Sequence, residues 1–212
     1  RSRSCGSSPP VPKRLQRAGK SSLPHLASRN KFMKDISFGE IRIGEKHPVA
    51  VIAEVACQHE GSMAKAKRLI RAAKDSGADV VKFQLHLPRA EMIPGSINFW
   101  GGSMDEILAR SKFSTFEEHA ELKKYCENIG IIYLCTPFSR EAGDILERVG
   151  VGAFKTGSGE LTNLPLLRHL ARKGKPLIIS TGMCTQDEIE DAAAVCREEK
   201  CDFMFMHCLS EY

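Results

Sequence analysis

Phe154-Lys155-Thr156-Gly157-Ser158-Gly159-Glu160 follows the short apolar run Val151-Gly152-Ala153 and precedes a helix expected to begin near Pro165. A lysine at a strand end, a Gly-Ser-Gly loop and a carboxylate bring a cation, free backbone N–H groups and a hydroxyl into one small space. Such a space suits a phosphate or a carboxylate. A glycine-rich turn with a solvated lysine would be spelled the same way, and short motifs match by chance. What weighs for a site is that five other strand ends carry polar groups of the same kind.

Those strands are read from apolar runs: Val49 to Val55, Val80 to Phe83, Ile131 to Cys135, Val151 to Phe154, Leu177 to Ile179 and Phe203 to Met206. The runs are nearly continuous rather than alternating, which marks strands of a parallel sheet buried on both faces. Between them, apolar residues recur at helical spacing, as in Ala66, Leu69, Ile70 and Ala73, or Leu122, Tyr125, Cys126 and Ile129. Ser114-x-x-Glu117 and Thr185-x-x-Glu188 fit capping boxes, and Ser139 suits an N-cap. Gly77, Gly130, Gly150 and Gly174 signal helix ends. Six strands separated by helices fit an α/β fold, either a (β/α)8 TIM barrel or a doubly wound sheet. A barrel needs eight units in about 250 residues. The expectation is therefore a TIM barrel truncated after about six β/α units, spanning residues 33–212. Residues 85–113 are expected to form a long connection, either a lid or an insertion.

Of the 31 Lys and Arg, nine lie in residues 1–34, which hold no Asp or Glu, so the rest carries 22 basic against 26 acidic side chains. The overall charge of +5 thus comes from the N-terminal segment, and the body gives nucleic acid no electrostatic footing. Residues 1–32, rich in Ser, Pro, Arg and Lys, are expected to be a disordered basic segment. They have the composition of a transit peptide, yet the first methionine is Met33, which also fits upstream read-through. No run reaches the length of a membrane span. The eight cysteines show no C-x-x-C pair and no zinc or disulfide spacing, which points to reduced thiols in a cytoplasmic protein. Strand-end cysteines Cys57, Cys135 and Cys208 have two readings, reactive thiols or small hydrophobes, and the second is preferred.

In a parallel barrel, chemistry belongs at the C-terminal strand ends. Those ends hold Glu54, Lys82 with Gln84, Thr136 with Ser139, Lys155 with Ser158 and Glu160, Ser180, and finally His207, Ser210 and Tyr212. Any one could be a structural ion pair or a satisfied core group. Converging on one mouth, they make an anion site, with Glu54 and Glu160 free to move protons or hold a polyol.

The motifs Ile52-Ala53-Glu54-Val55, His59-Glu60-Gly61-Ser62, Gly77 to Gln84, Thr136-Pro137-Phe138-Ser139, Lys155 to Glu160, Ser180-Thr181-Gly182-Met183 and His207 to Tyr212 follow one another in a known order and spacing. From about Phe38 onward the chain resembles the N-acetylneuraminate (sialic acid) synthase family. The resemblance implies condensation of phosphoenolpyruvate with an N-acylated amino sugar, of the N-acetylmannosamine kind, in its open-chain aldehyde form. The product is a nine-carbon 2-keto sugar acid such as N-acetylneuraminate, and phosphate is released. It implies Lys82, Thr136, Lys155, Ser158, Ser180 and Ser210 around phosphoenolpyruvate, and Glu54, Gln84 and Tyr212 toward the sugar. Glu160 is the candidate for positioning water, and Glu54, Glu160 and Lys155 form the expected catalytic set. It also implies a divalent metal (Mn2+ or Mg2+) in the full-length enzyme and a homodimer. The family's metal histidines and its C-terminal antifreeze-like domain have no counterpart in this chain, and His207 is not one of those ligands. Hence no metal ligand is expected here, and the fragment alone is expected to be inactive. Gln58 and Ser210 stand where asparagines are usual, and Ser96 where sialic-acid-forming members often carry asparagine, so the sugar is left open. Two alternatives remain: a Schiff-base aldolase using Lys155, and an inactive fragment that binds a sugar phosphate.

Overall fold

The computed structural model describes residues 34–93 and 113–211. The expected disordered segment 1–32, the greater part of the 85–113 connection, Ser96 and Tyr212 lie outside the described residues. Lys34–Tyr212 forms one compact unit.

The first element was not foreseen. Strands β1 (Ile36–Phe38) and β2 (Ile41–Ile43) form an antiparallel hairpin in register Phe38↔Ile41 and Ile36↔Ile43. The two-residue link Gly39-Glu40 starts with a left-handed residue, Gly39 at φ 58°, which such tight turns demand. Parallel strands β3 (Ile52–Ala56), β4 (Val80–Leu85) and β5 (Ile132–Pro137) make one sheet. A second holds β6 (Phe154–Thr156), β7 (Leu177–Ser180) and β8 (Phe203–Met206), and β6 runs beside β5. Spatial order therefore follows chain order, an arrangement expected of a barrel wall.

Two strands start three residues later than their apolar runs. Val49 and Val51 are exposed and the Val51 N–H is held by the Asp79 carboxylate at 2.8 Å, so β3 begins only at Ile52. The Val151 N–H bonds back to Leu146, completing the preceding helix, so β6 begins at Phe154 rather than Val151.

The helices are α1 (Met63–Asp75), α2 (Pro88–Glu91), α3 (Phe116–Ile129), α4 (Arg140–Val149), α5 (Leu164–Ala171) and α6 (Gln186–Glu198). Ser139 caps α4, and Thr185 with Glu188 forms the capping box of α6, as expected. The box at α3 sits one residue later than expected, on Thr115 and Glu118, because the Glu118 carboxylate takes the N–H groups of both Ser114 and Thr115. Helix α5 starts at Leu164, capped by Asn163. The short α2 falls inside the stretch read as a loop.

Period-two alternation splits each parallel strand between two environments. Val81, Phe83, Tyr133, Cys135, Phe154 and Ile179 face the helices and share a core with Ile70, Leu122, Leu146 and Leu170. Each fully buried leucine there contributes about 1.5–3 kcal/mol. The opposite face carries Ile52, Val80, Leu134, Ala153, Ile178 and Met204, packed with Phe38, Ile41 and Ile43. The hairpin thus covers the N-terminal end of the inner face. Two residues further along, the same face turns polar.

Candidate active site

That polar layer contains Glu54, Lys82, Gln84, Thr136, Lys155 and Ser180. In the first sheet Glu54 and Lys82 are register neighbours on adjacent strands, and their side chains form an ion pair. The Lys82 ammonium also lies 3.5 Å from the Thr136 hydroxyl. Its side chain is 10% exposed against 46% for Glu54, so the carboxylate stands on the solvent side of the pair. A second anchor fixes Glu54: Oε1 accepts the Ala56 N–H at 3.0 Å, across an irregularity in the β3 ladder.

In the second sheet Lys155 donates to the Ser180 hydroxyl and, at 2.6 Å, to its neighbour's carbonyl, Thr156 O. Among the described residues no carboxylate is paired with it. Burial and the nearby Lys82 ammonium pull its pKa down to about 8, against weaker opposing pulls from Cys208 and Glu54. Ser158 Oγ accepts the Gly182 N–H at 3.0 Å. A Cβ built on Gly182 would stand 2.0 Å from Ser210 Oγ and 2.9 Å from Ser158 Oγ, so both hydroxyls close on this glycine. A side chain here would force both hydroxyls to swing away. Ser210 itself sits at φ 56°.

The structure therefore brings Glu54, Lys82, Thr136, Lys155 and Ser180 together, with Ser158 and Ser210 beside them. Glu160 stands apart. It belongs to the 3-10 turn Ser158–Glu160, accepts from the Asn163 amide at 3.0 Å, and lines a cavity of about 630 Å³ with Phe138, Arg140 and Glu141. Gln84 lies at the first sheet's end, its Oε1 3.1 Å from His86 Nε2. His207 is exposed. Tyr212 lies outside the described residues.

One group at this end escaped the sequence reading, and another departs from its preferred reading. His86 sits two residues beyond Gln84, in step with the inward alternation that could have revealed it. Cys208 departs from the small-hydrophobe reading. Burial opposes its ionisation, yet hydrogen bonds from Ser180 and the Thr181 backbone and the Lys155 charge draw its pKa down. Cys135, buried with its thiol pushed up to about 12, fits that reading. His59 and His119 are core groups: His59 stacks on Phe113 at 4.1 Å, and His119, 2.5 Å from Tyr133 OH, is driven by burial to a pKa of about 4.

Two ammonium groups and several hydroxyls around one opening suit a doubly charged anion. Among the described residues no group of three His, Cys, Asp or Glu could hold a metal ion, so the divalent ion implied by the resemblance does not fit on these residues. No described helix is long and apolar enough to cross a membrane.

Similarity to known proteins follows the same lines. An uncharacterized protein of Methanocaldococcus jannaschii is 38% identical over 181 residues, covering 85% of this chain and 52% of that one. N-acetylneuraminate-9-phosphate synthase of Homo sapiens is 33% identical over 177 residues, 80% of this chain and 49% of that protein. N,N'-diacetyllegionaminic acid synthase of Campylobacter jejuni is 36% identical over 172 residues, 76% of this chain and 52% of that protein. The chain spans about half the length of the curated relatives it matches. Among solved structures, the N-acetylneuraminic acid synthetase of Leptospira borgpetersenii in complex with citrate superposes with a TM-score of 0.76 at 30% identity, covering 84% of this chain and 60% of that one. A truncated 3-deoxy-D-arabino-heptulosonate 7-phosphate synthase of Thermotoga maritima gives 0.59 at 14% identity over 84% of this chain and 59% of that one, a likeness of fold alone. The NeuB family model matches residues 69–212, and the chain is a member of the NeuB family.

Proposed function

We propose that this chain supplies the phosphoenolpyruvate-binding part of a synthase that joins phosphoenolpyruvate to an N-acylated amino sugar. The observation that carries the reading is the meeting of Lys82 and Lys155 with Thr136, Ser180, Ser158 and Ser210 at one strand-end opening. Phosphoenolpyruvate bears a phosphate and a carboxylate, and two separated cations with interleaved hydroxyls match that pattern. In the reaction, C3 of phosphoenolpyruvate bonds to the aldehyde carbon. The former aldehyde oxygen takes a proton, water adds its oxygen at C2 and gives one up, and the C2–O bond to phosphate breaks to leave the 2-keto acid and inorganic phosphate. Lys82 and Lys155 hold the anion and balance the charge on the departing phosphate. Glu54 and Gln84, and Tyr212 beyond the described residues, face the sugar. Glu160, which stands apart from the cluster, remains the candidate for positioning the water, a role that needs the substrate to reach toward its cavity. No step is assigned to a metal. The product is a nine-carbon 2-keto sugar acid of the N-acetylneuraminate or legionaminate type.

The same reading makes residues 33–212 six units of an eight-unit barrel. Among the described residues β3 and β8 each pair on one side only, and Phe205 and Met206 on β8 are both 37% exposed. This chain alone is expected not to turn over, and the whole protein is expected to be a cytoplasmic homodimer. Calorimetric titration of phosphoenolpyruvate into the protein tests the site: binding in the parent and none in Lys155→Ala is the expected result, and equal affinity in both would refute it.

The lowered pKa of Lys155 favours one competing chemistry, a Schiff base with a keto acid. Its hydrogen bonds to Ser180 and Thr156 O point instead to a lysine fixed as a charge. Borohydride trapping with pyruvate distinguishes the two, since a Schiff-base lysine would be labelled.

A further inference from the structure

At the mouth of the first sheet, His86 is held from three sides. Nδ1 lies 2.9 Å from Glu91 Oε2, Nε2 lies 3.1 Å from Gln84 Oε1, and the ring stacks on Phe138 at 4.0 Å with 16° between planes. Glu91 is fixed in turn, because its other oxygen accepts the Leu87 N–H that opens α2. The Cys57 thiol also approaches Gln84 Oε1, at 3.8 Å. The titratable groups facing the ring are thus Glu91 from α2 and Cys57 from the loop after β3, while Phe138 after β5 is uncharged. Burial opposes the imidazolium, but Cys57 and Glu91 outweigh it and the pKa stands at about 9.

A doubly protonated imidazole has two donors and no acceptor. With Nδ1 held by the Glu91 carboxylate, Nε2–H donates to the Gln84 oxygen, Oε1, at 3.1 Å. The bridge from Glu91 through the ring to Gln84 Oε1 sets the amide orientation, and an imidazolium at neutral pH is consistent with it. The Gln84 NH2 is left over, and among the described residues nothing accepts from it. Gln84 shares the inward face of β4 with Lys82.

We infer that His86 is a positioning residue which, bridged between Glu91 and Gln84, locks the Gln84 amide so that only N–H donors face the ligand. Resting on the proposed function, this assigns Gln84 to an oxygen acceptor of the sugar, a hydroxyl or the acyl carbonyl. It gives His86, which touches neither substrate, a role in sugar affinity and not in phosphoenolpyruvate affinity.

The test uses the full-length protein with phosphoenolpyruvate and N-acetylmannosamine. His86→Leu is expected to raise the sugar KM about tenfold while the phosphoenolpyruvate KM stays within about twofold. His86→Gln, which can still donate to Gln84, should recover most of that loss. Ring-nitrogen NMR should find both His86 nitrogens protonated at neutral pH, with the titration midpoint falling in Glu91→Gln. A parallel rise of both KM values, or His86→Gln no better than His86→Leu at equal Tm, overturns the inference. If the parent protein does not condense the two substrates, the proposed function falls. The NMR result then decides the clamp by itself, a singly protonated ring overturning it and a doubly protonated ring that responds to Glu91→Gln supporting it.

Discussion

Lys82 and Lys155 occupy matching places, each on the inward face of a parallel strand at the start of the polar layer, yet their surroundings differ in kind. Lys82 is paired with a carboxylate and stands 3.5 Å from a hydroxyl. Among the described residues Lys155 donates to two neutral oxygens, Ser180 Oγ and Thr156 O, with the Cys208 thiol nearby. A buried cation beside a carboxylate is largely neutralised in place, whereas one among hydroxyls leaves its field uncompensated for an incoming anion as long as it stays protonated, which for Lys155 means below about pH 8. Lys155 is therefore the stronger electrostatic lure, and Lys82 the one whose field is regulated by a neighbour.

The largest expected effect follows from that contrast. Lys155→Ala should weaken phosphoenolpyruvate binding by about 100-fold, roughly 3 kcal/mol, and Lys82→Ala by about tenfold. Glu54→Gln should tighten binding a few-fold by releasing Lys82, while impairing condensation. Equal losses in the two lysine variants would break the comparison. The pH dependence sharpens it. Lys155 titrates at about 8 in the folded protein against an ordinary 10.5. Affinity for the anion should hold below pH 8, fall as pH rises through it, and lose that slope in Lys155→Ala. Between 8 and 10.5 the unfolded chain keeps a proton that the folded chain has released. The Lys155 contribution to stability therefore rises with pH across that window. Calorimetry from pH 7 to 9.5 reads the first effect and thermal melts read the second.

Most of this layer was legible because chemistry at strand ends survives errors in strand limits. Val151 to Phe154 misplaced β6 by three residues, yet Lys155 and Ser158 remained at its C-terminal end. The β1–β2 hairpin was missed because its strands have three residues each, and alternation that short carries little signal. The Glu91–His86–Gln84 arrangement was missed because α2 has four residues and its pairing depends on how the chain doubles back after β4. Ser210 was legible as a departure from asparagine but not as strain. At φ 56° it lies in the left-handed region that asparagine tolerates better than serine, a property of backbone rather than of motif.

A smaller effect, confined to the second sheet, separates its hydroxyls from its cation. Gly182→Ala would set a methyl against Ser210 Oγ and Ser158 Oγ while leaving Lys155 and Ser180 in place. Anion affinity should drop about tenfold, with little change in the pH at which it falls. The measurement is the same titration series run on this variant. An unchanged affinity would mean that Ser158 and Ser210 support the loop and do not reach the ligand.

The smallest expected effect compares two neighbours on β6. Lys155 faces inward with both its contacts made, whereas Thr156 turns to the other face, fully buried, and its hydroxyl has no hydrogen-bond partner among the described residues. Burying a hydroxyl without a partner costs about 1–3 kcal/mol, and valine keeps nearly the same shape without that hydroxyl. Thr156→Val should therefore raise stability by about 1 kcal/mol in denaturant unfolding and leave anion affinity untouched. A loss of stability would show that the hydroxyl is satisfied by a partner outside the described residues. A loss of affinity at unchanged stability would mean that the outer face of β6 reaches the site after all, and the division of this strand into a packing face and a binding face would fail.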